Sequence, residues 1–137
     1  MKRLLLLVVT VIFAAAGNAA SLSPAAMTEI DALLSGLEAS SCTFNRNGTW
    51  YPATEAKSHL LRKLKYLEDR GLVQSAEQFI ERAASSSSTS GQPYLVKCGS
   101  GAPVQSRTWL RSQLQVVRVS GRAKSAPEAP SGASARK

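Results

Sequence analysis

Apolar residues recur at helical spacing in four stretches of this chain. The first begins after Ser23-Pro24, where serine is a preferred N-cap and proline suits the first helical position. The second begins after Pro52 and ends at Gly71. Each predicts an amphipathic helix with its apolar face on a core. The apolar positions are Met27, Ile30, Leu33, Leu34 and Leu37 in the first stretch, and Ala56, Leu60, Leu64 and Leu67 in the second.

Two further stretches have the same period. The third begins at Ser75, and Gln78 three residues later completes a capping box. The fourth is capped by Ser106 or Thr108 and ends near Val119. Their apolar positions are Ala76, Phe79, Ile80, Ala83 and Ala84 in the third, and Trp109, Leu110, Leu114 and Val117 in the fourth.

Two segments between these helices have the residues of β-strands. Residues 42–51 contain Asn47-Gly48, a dipeptide that tolerates the two positive φ angles of a type I′ hairpin turn. Residues 94–98 follow a serine-rich turn and predict one further strand. The whole pattern predicts a small single α+β domain with about four helices, a β-hairpin and one further strand.

The first 19 residues have a different composition. Lys2-Arg3 precedes an apolar run over residues 4–16, and small residues follow. This order is typical of a secretory signal peptide, and the run is shorter than the roughly 20 residues of a membrane-spanning helix. We therefore predict a periplasmic or secreted protein, cleaved after Ala19 or Ala20, with no transmembrane segment left after cleavage.

Export changes the interpretation of Cys42 and Cys98. In an oxidising compartment two cysteines pair most simply with each other, and a loop of this length gives a chain-entropy stabilisation of about 4 kcal/mol. Two unpaired thiols are the alternative. One histidine and two cysteines do not supply the ligands of a structural zinc site, so we expect no metal and no cofactor.

The formal net charge is +8, but much of it lies at the end of the chain. Five basic residues and one acidic residue occur from Arg118 onward. Residues 120–137 contain no apolar residue larger than alanine or proline, which predicts a disordered basic tail after a domain of residues 20–119. The domain itself has no strong polyanion footprint, so we expect no specific nucleic acid. The tail either makes weak contact with anionic surfaces or only solubilises the protein.

Several short motifs in the middle of the chain resemble one protein family. In combination they are similar to the YfeK-like family of small secreted bacterial proteins, which is labelled a domain of unknown function. The resemblance covers about residues 28–114 and implies a periplasmic protein of a Gram-negative envelope, without an activity or cofactor to transfer. The motifs are Phe44-x-Arg46-Asn47-Gly48, Glu55-Ala56-x-x-His59-Leu60, Ala76-Glu77-x-Phe79-Ile80 and the segment from Ala84 through Pro93-Tyr94 to Val96.

One flank of the second helix carries the candidate chemistry. Four side chains lie there at i, i+4, i+7 and i+11, along the edge of the apolar face. Two cations, an imidazole and a phenol in line suit a carboxylate, phosphate or sulfate group. We therefore predict a non-enzymatic envelope binding module for an anionic ligand or a protein partner. A solvated flank is the alternative. The predicted patch is His59, Lys63, Tyr66 and Arg70, joined by Ser87, Ser88 and Ser90 if the serine-rich turn folds back.

A small hydrolase is the alternative from another class. Glu55 lies four residues before His59, and a serine of the 85–90 run would complete the residue types. No G-x-S-x-G elbow is present, and the serines follow a helix C-terminus, whose dipole disfavours an oxyanion. We therefore predict that the chain is not an enzyme.

A lower alternative is a protein that resembles periplasmic lysozyme inhibitors. Residues 90–94, Ser-Gly-Gln-Pro-Tyr, are similar to their S-G-x-x-Y element, whose serine enters the lysozyme cleft. Those inhibitors are small β-barrels, whereas this chain has a mainly helical pattern. A basic inhibitor would also be repelled by basic lysozymes.

Overall fold

A computed structural model describes residues 20–127, so the predicted signal peptide and residues 128–137 lie outside the described part of the chain. The described residues form four helices and four strands. In chain order these are α1 (Pro24–Ala39), β1 (Thr43–Arg46), β2 (Thr49–Pro52), α2 (Ala53–Glu68), α3 (Ala76–Arg82), β3 (Leu95–Lys97), β4 (Val104–Gln105) and α4 (Ser106–Ser125). The predicted small α+β domain is confirmed. None of these helices has the length and hydropathy of a membrane span.

The strands form one antiparallel sheet in the order β2-β1-β3-β4. Asn47 and Gly48 join β1 to β2 with φ angles of 52° and 84°, as a type I′ turn requires, so the predicted hairpin is confirmed. Strand β4 was not predicted. Two residues are too few to show an alternating pattern, and they become a strand only because Val104 pairs with Val96 across the sheet.

The predicted disulfide between Cys42 and Cys98 is present, with the two Cα atoms 4.3 Å apart. Thr43 and Lys97, the next residues inward, are partners in the β1–β3 ladder. The bond therefore closes the end of the ladder and links two segments that are 56 positions apart in the sequence.

The core lies between the sheet and the helices. Helix α2 packs on β1 and β2, α4 packs on β3 and β4, and α1 contacts the other three helices. The predicted apolar faces are buried as expected, except that Met27, Trp109 and Val117 are only partly buried. The largest fully buried side chains include Tyr94, Phe44, Phe79, Ile30 and Leu60.

Helix ends differ from the prediction in three places. Helix α4 has Gln105 as its N-cap, without a side-chain cap, where Ser106 or Thr108 was predicted to cap it. Helix α4 continues to Ser125, so residues 120–125 are helical where a disordered tail was predicted. A helix anchored by buried Leu110 and Leu114 extends with one hydrogen bond for each residue fixed, and needs no further burial. At α3 the Ser75 hydroxyl accepts from the Gln78 N–H at 3.1 Å as predicted, but the Gln78 side chain accepts from the Gln74 N–H instead of closing the capping box.

Candidate functional site

Four side chains from three parts of the chain meet at one place, which we call the His59 cluster: Arg46, His59, Lys63 and Tyr94. Arg46 is two residues after buried Phe44 on β1, so strand alternation puts it on the same, helix-facing side. His59 and Lys63 are one turn apart on α2. Tyr94 immediately precedes β3, and its backbone is bonded to Ser85 and Ser106.

The His59 ring is held at both nitrogens. Arg46 Nη1 lies 2.7 Å from Nδ1, and the Tyr94 hydroxyl lies 3.0 Å from Nε2. A guanidinium can only donate, so Nδ1 accepts and the proton of the neutral ring is on Nε2. His59 therefore donates to the Tyr94 hydroxyl oxygen.

Lys63 completes the cluster. Its Nζ donates to the Ser86 carbonyl at 2.9 Å and to the Tyr94 hydroxyl at 3.3 Å. The Tyr94 oxygen thus accepts from both His59 and Lys63, which leaves its own O–H hydrogen as a donor. The Tyr94 side chain is 1% exposed, and its ring lies 4.9 Å from that of Phe44, so this hydroxyl has a fixed position.

Burial and the crowding of positive groups lower the basicity of the cluster. Burial, and then the charges of Arg46, Lys63 and Arg62, lower the pKa of His59 to about 4. Burial and Arg46 lower the pKa of Lys63 to about 8. Burial raises the pKa of the Tyr94 phenol, against an opposing effect of Arg46. At neutral pH the cluster therefore has a neutral imidazole, a neutral phenol and two cations.

A cavity of about 320 Å³ opens over the cluster. Its opposite wall is the serine-rich turn, which does fold back: Ser86 pairs with Pro93 as a β-bridge, and the Ser90 hydroxyl donates to Asn47 Oδ1 at 2.6 Å. The Ser87 hydroxyl is buried and lies 3.1 Å from that of Thr89. Ser88, by contrast, is exposed at the cavity.

The predicted patch is therefore divided. His59, Lys63, Ser87 and Ser88 line one cavity, whereas Ser90 is bonded to the hairpin turn. Farther along α2, the Arg70 guanidinium lies 3.6 Å from the centre of the Tyr66 ring and donates to the Tyr66 carbonyl.

Sequence reasoning missed three residues of the site: Arg46, Tyr94 and Tyr51. Tyr51 lines the same cavity, and its hydroxyl accepts from Arg46 Nη2 at 3.4 Å. The hairpin sequence did contain information about where Arg46 lies, because residues 44 and 46 must share a face of the strand. It was not usable alone, since nothing local indicates that this face turns toward His59.

The parts of the alternative hydrolase are not assembled in residues 20–127. Both His59 nitrogens are occupied by Arg46 and Tyr94, and no hydrogen bond joins His59 to Glu55 or to a serine hydroxyl. Similarly, the element that resembles lysozyme inhibitors has its tyrosine, Tyr94, buried in the core and its serine hydroxyl bonded to Asn47.

Comparison with known proteins places this arrangement in a family. The model of DUF5329, described as a family of unknown function, matches residues 24–118. The chain belongs to DUF5329. All four residues of the His59 cluster lie inside the match. The predicted resemblance to a YfeK-like family of unknown function is confirmed.

One curated relative is the "Uncharacterized protein YfeK" of Salmonella typhimurium. It is 46% identical over 66 residues, which cover 47% of this chain and 53% of the relative. The chain thus matches about half the length of that relative. No solved structure matches the chain. Neither the DUF5329 description nor the name of this relative states an activity.

Proposed function

We propose that this DUF5329 protein is an exported, non-enzymatic binding module whose His59 cluster holds a tetrahedral oxyanion, as a phosphate or sulfate group of an envelope ligand or partner. The observation that carries the proposal is the charge balance of the cluster. Within residues 20–127, neither Arg46 nor Lys63 has a carboxylate within salt-bridge distance. Two partly buried cations without a counter-ion are costly, and a bound anion would relieve that cost.

The cluster also has unused hydrogen-bond donors at the cavity. Lys63 uses two of its three N–H bonds within the protein, and Tyr94 has an unused O–H. Ser88 adds an exposed hydroxyl at the cavity wall. The deprotonated oxygens of sulfate and phosphate only accept hydrogen bonds, so they match this set better than a ligand that also needs acceptors.

The hydrogen bonds that Arg46 already makes favour a tetrahedral anion over a planar carboxylate as the ligand. Its Nη1 donates to His59 and its Nη2 to Tyr51, so the Nη1–Nη2 fork is directed at these residues, and three of the five N–H groups remain as donors. The remaining donors come from different directions, since they belong to a strand, a helix and the residue before β3. Three separated donors suit the oxygens of phosphate or sulfate.

Export is supported by the sequence and by the disulfide. The predicted signal peptide and the Cys42–Cys98 bond both fit an oxidising compartment outside the cytoplasm. The ligand is therefore expected among the phosphorylated or sulfated components of the cell envelope.

The test is a titration of the mature protein with inorganic phosphate and sulfate, followed by amide NMR shifts. We expect saturable shifts at Arg46, His59, Lys63 and Tyr94. Lys63→Met should weaken binding at least about tenfold, because a hydrogen bond to a charged group contributes roughly 1.5–3 kcal/mol.

The matched control is Lys65→Met, on the same helix but exposed and paired with Asp69 at 3.1 Å. It should leave the affinity within about twofold, as expected for an exposed ion pair. Equal losses in the two variants, or no saturable shift in the cluster with either anion, would refute the proposal.

A further inference from the structure

We infer that the His59 cluster is the centre of a groove along α2 that takes a linear acidic oligosaccharide carrying phosphate or sulfate groups. This inference rests on the proposed function and names its ligand class. It concerns the surface on both sides of the cluster, which a single small anion would leave empty.

The cavity over the cluster has a neighbour on each side. One, of about 440 Å³, lies at the first turns of α2 and is bordered by Thr54, Glu55 and Ser58. The other, of about 370 Å³, lies farther along α2 and is bordered by Tyr66 and Leu67. His59 borders all three depressions, so they meet around one side chain.

Together the depressions follow α2 from residue 54 to residue 67. At 1.5 Å per residue this is roughly 20 Å, several times the size of one phosphate or sulfate group. All three are open to solvent. A surface of this shape fits a chain that lies along the helix better than a small molecule that is enclosed.

The lining of the outer depressions suits sugar rings. Each contains a tyrosine, Tyr51 in one and Tyr66 in the other, and the Tyr66 side chain is 55% exposed. Aromatic rings with a polar edge pack against the apolar faces of pyranoses while they hydrogen-bond at the rim. The Thr54 hydroxyl can donate to or accept from sugar hydroxyls, whereas the Glu55 carboxylate and the Ser58 hydroxyl, which donates to the Thr54 carbonyl at 3.1 Å, are acceptors.

Positive charge continues outside the cluster. Arg62 borders both outer depressions, and Arg82 borders the one with Tyr66. Within residues 20–127 neither guanidinium has a carboxylate within salt-bridge distance. The groove thus has cations on both sides of its centre, which matches anionic groups repeated along one chain.

An acidic helical peptide fits this lining less well. Helix-in-groove recognition depends on pockets for apolar anchors spaced along the partner helix. The apolar residues that line the groove are Phe44, Ala56 and Leu67, and all three are buried in the core. No aliphatic side chain that lines the groove is therefore exposed enough to form such a pocket by itself.

The test uses heparin-derived di-, tetra- and octasaccharides as sulfated probes, with inorganic phosphate and an octaglutamate peptide measured in parallel by calorimetry at constant ionic strength. We expect the affinity to rise at least about tenfold from disaccharide to octasaccharide, because added units reach the outer depressions. Octaglutamate should bind more weakly than the octasaccharide.

Tyr66→Ala separates the groove from the cluster. It should lower the octasaccharide affinity at least about fivefold and leave phosphate affinity unchanged, since the exposed ring is outside the His59 cluster. Trp50→Ala is the matched control, because Trp50 is 40% exposed but borders none of the three depressions, and it should change neither affinity.

The outcomes distinguish the two proposals. Phosphate binding without a rise in affinity from disaccharide to octasaccharide would overturn the groove proposal and leave the proposed oxyanion site in place. Tighter binding of octaglutamate than of the octasaccharide would also overturn the ligand class. Absence of saturable binding of both inorganic phosphate and sulfate to the unmodified protein would refute the proposed function itself.

Discussion

Two regions of this small domain are rich in arginine or lysine. In one the cations pair with carboxylates, and in the other they have no carboxylate partner among residues 20–127. In the region we call the paired cluster, Arg118 on α4 lies between two carboxylates, 2.8 Å from Glu29 on α1 and 2.6 Å from Glu77 on α3. Arg107 and Arg111 both pair with Glu81. In the His59 cluster, the two cations lie next to each other and next to a neutral imidazole and a phenol.

The pKa shifts follow the same division. Hydrogen bonds from Arg118 to Glu29 and Glu77 raise the pKa of the Arg118 guanidinium. The pKa of Glu77 is lowered, first by its own backbone N–H at the start of α3 and further by Arg118. Burial and neighbouring cations instead lower the pKa of His59 and Lys63.

The comparison distinguishes cations that are paired within the fold from cations that have no carboxylate partner in the described part of the chain. The paired cluster connects α4 to α1 and α3, and its ions are neutralised within the fold. In the His59 cluster, Arg46 and Lys63 have no carboxylate within salt-bridge distance among residues 20–127, and the proposed ligand would supply their counter-ion. Variants that change stability in one cluster and ligand affinity in the other would sharpen this contrast.

The largest effect on stability is expected from Tyr94→Phe. The change removes the oxygen that accepts from His59 and Lys63, so two partly buried donors lose this partner. We expect a loss of about 2 kcal/mol in the free energy of unfolding, measured by urea denaturation. Tyr66→Phe is the control, since that hydroxyl is exposed and the loss should stay below about 0.5 kcal/mol. Equal losses would mean that the hydroxyl network does not support the cluster.

A smaller loss is expected from Arg118→Met in the paired cluster. Glu29 and Glu77 would lose a shared cation, which at this partly exposed site should reduce the free energy of unfolding by about 1 kcal/mol. Phosphate affinity should not change. Arg62→Met, which removes a cation without a carboxylate partner among residues 20–127, should cost less than about 0.5 kcal/mol. A larger loss for Arg62→Met than for Arg118→Met would contradict the distinction between cations with and without a carboxylate partner.

The smallest effect concerns pH. The pKa of His59 is lowered from 6.5 to about 4, so between these values the unfolded state binds more protons than the folded one. The contribution of His59 to stability is therefore present above pH 6.5 and is lost as the pH falls toward 4. The groups that face it are Arg46, Lys63, Arg62 and Tyr94.

His59→Gln should remove this part of the pH dependence. A glutamine can accept from Arg46 and donate to Tyr94, but it does not titrate. Because His59 is partly solvent-accessible, we expect the difference between wild type and variant to change by roughly 0.5–1 kcal/mol from pH 6.5 to 4, measured by thermal or urea unfolding at each pH. Parallel stability curves for the two proteins would show that His59 is not held neutral.

Much of the fold was predictable because its signals are local. The four helices follow from apolar residues every three or four positions, and the hairpin follows from Asn47-Gly48. The pairing of Cys42 with Cys98 was predictable for a different reason, since they are the two cysteines of the chain and the leader predicts an oxidising compartment. Strand β4 and the last turn of α4 were not predictable, because short segments take their structure from neighbours.

The sequence by itself determined that the domain has amphipathic helices around a hairpin, and that His59 and Lys63 share one side of α2, since both depend on residues close together in the chain. Only the tertiary structure decided that Arg46 and Tyr94 meet His59. Those contacts span 13 and 35 positions and depend on the sheet register and on how α2 packs over β1. Helical and strand periods indicate which face a side chain occupies, but packing between elements determines what that face meets.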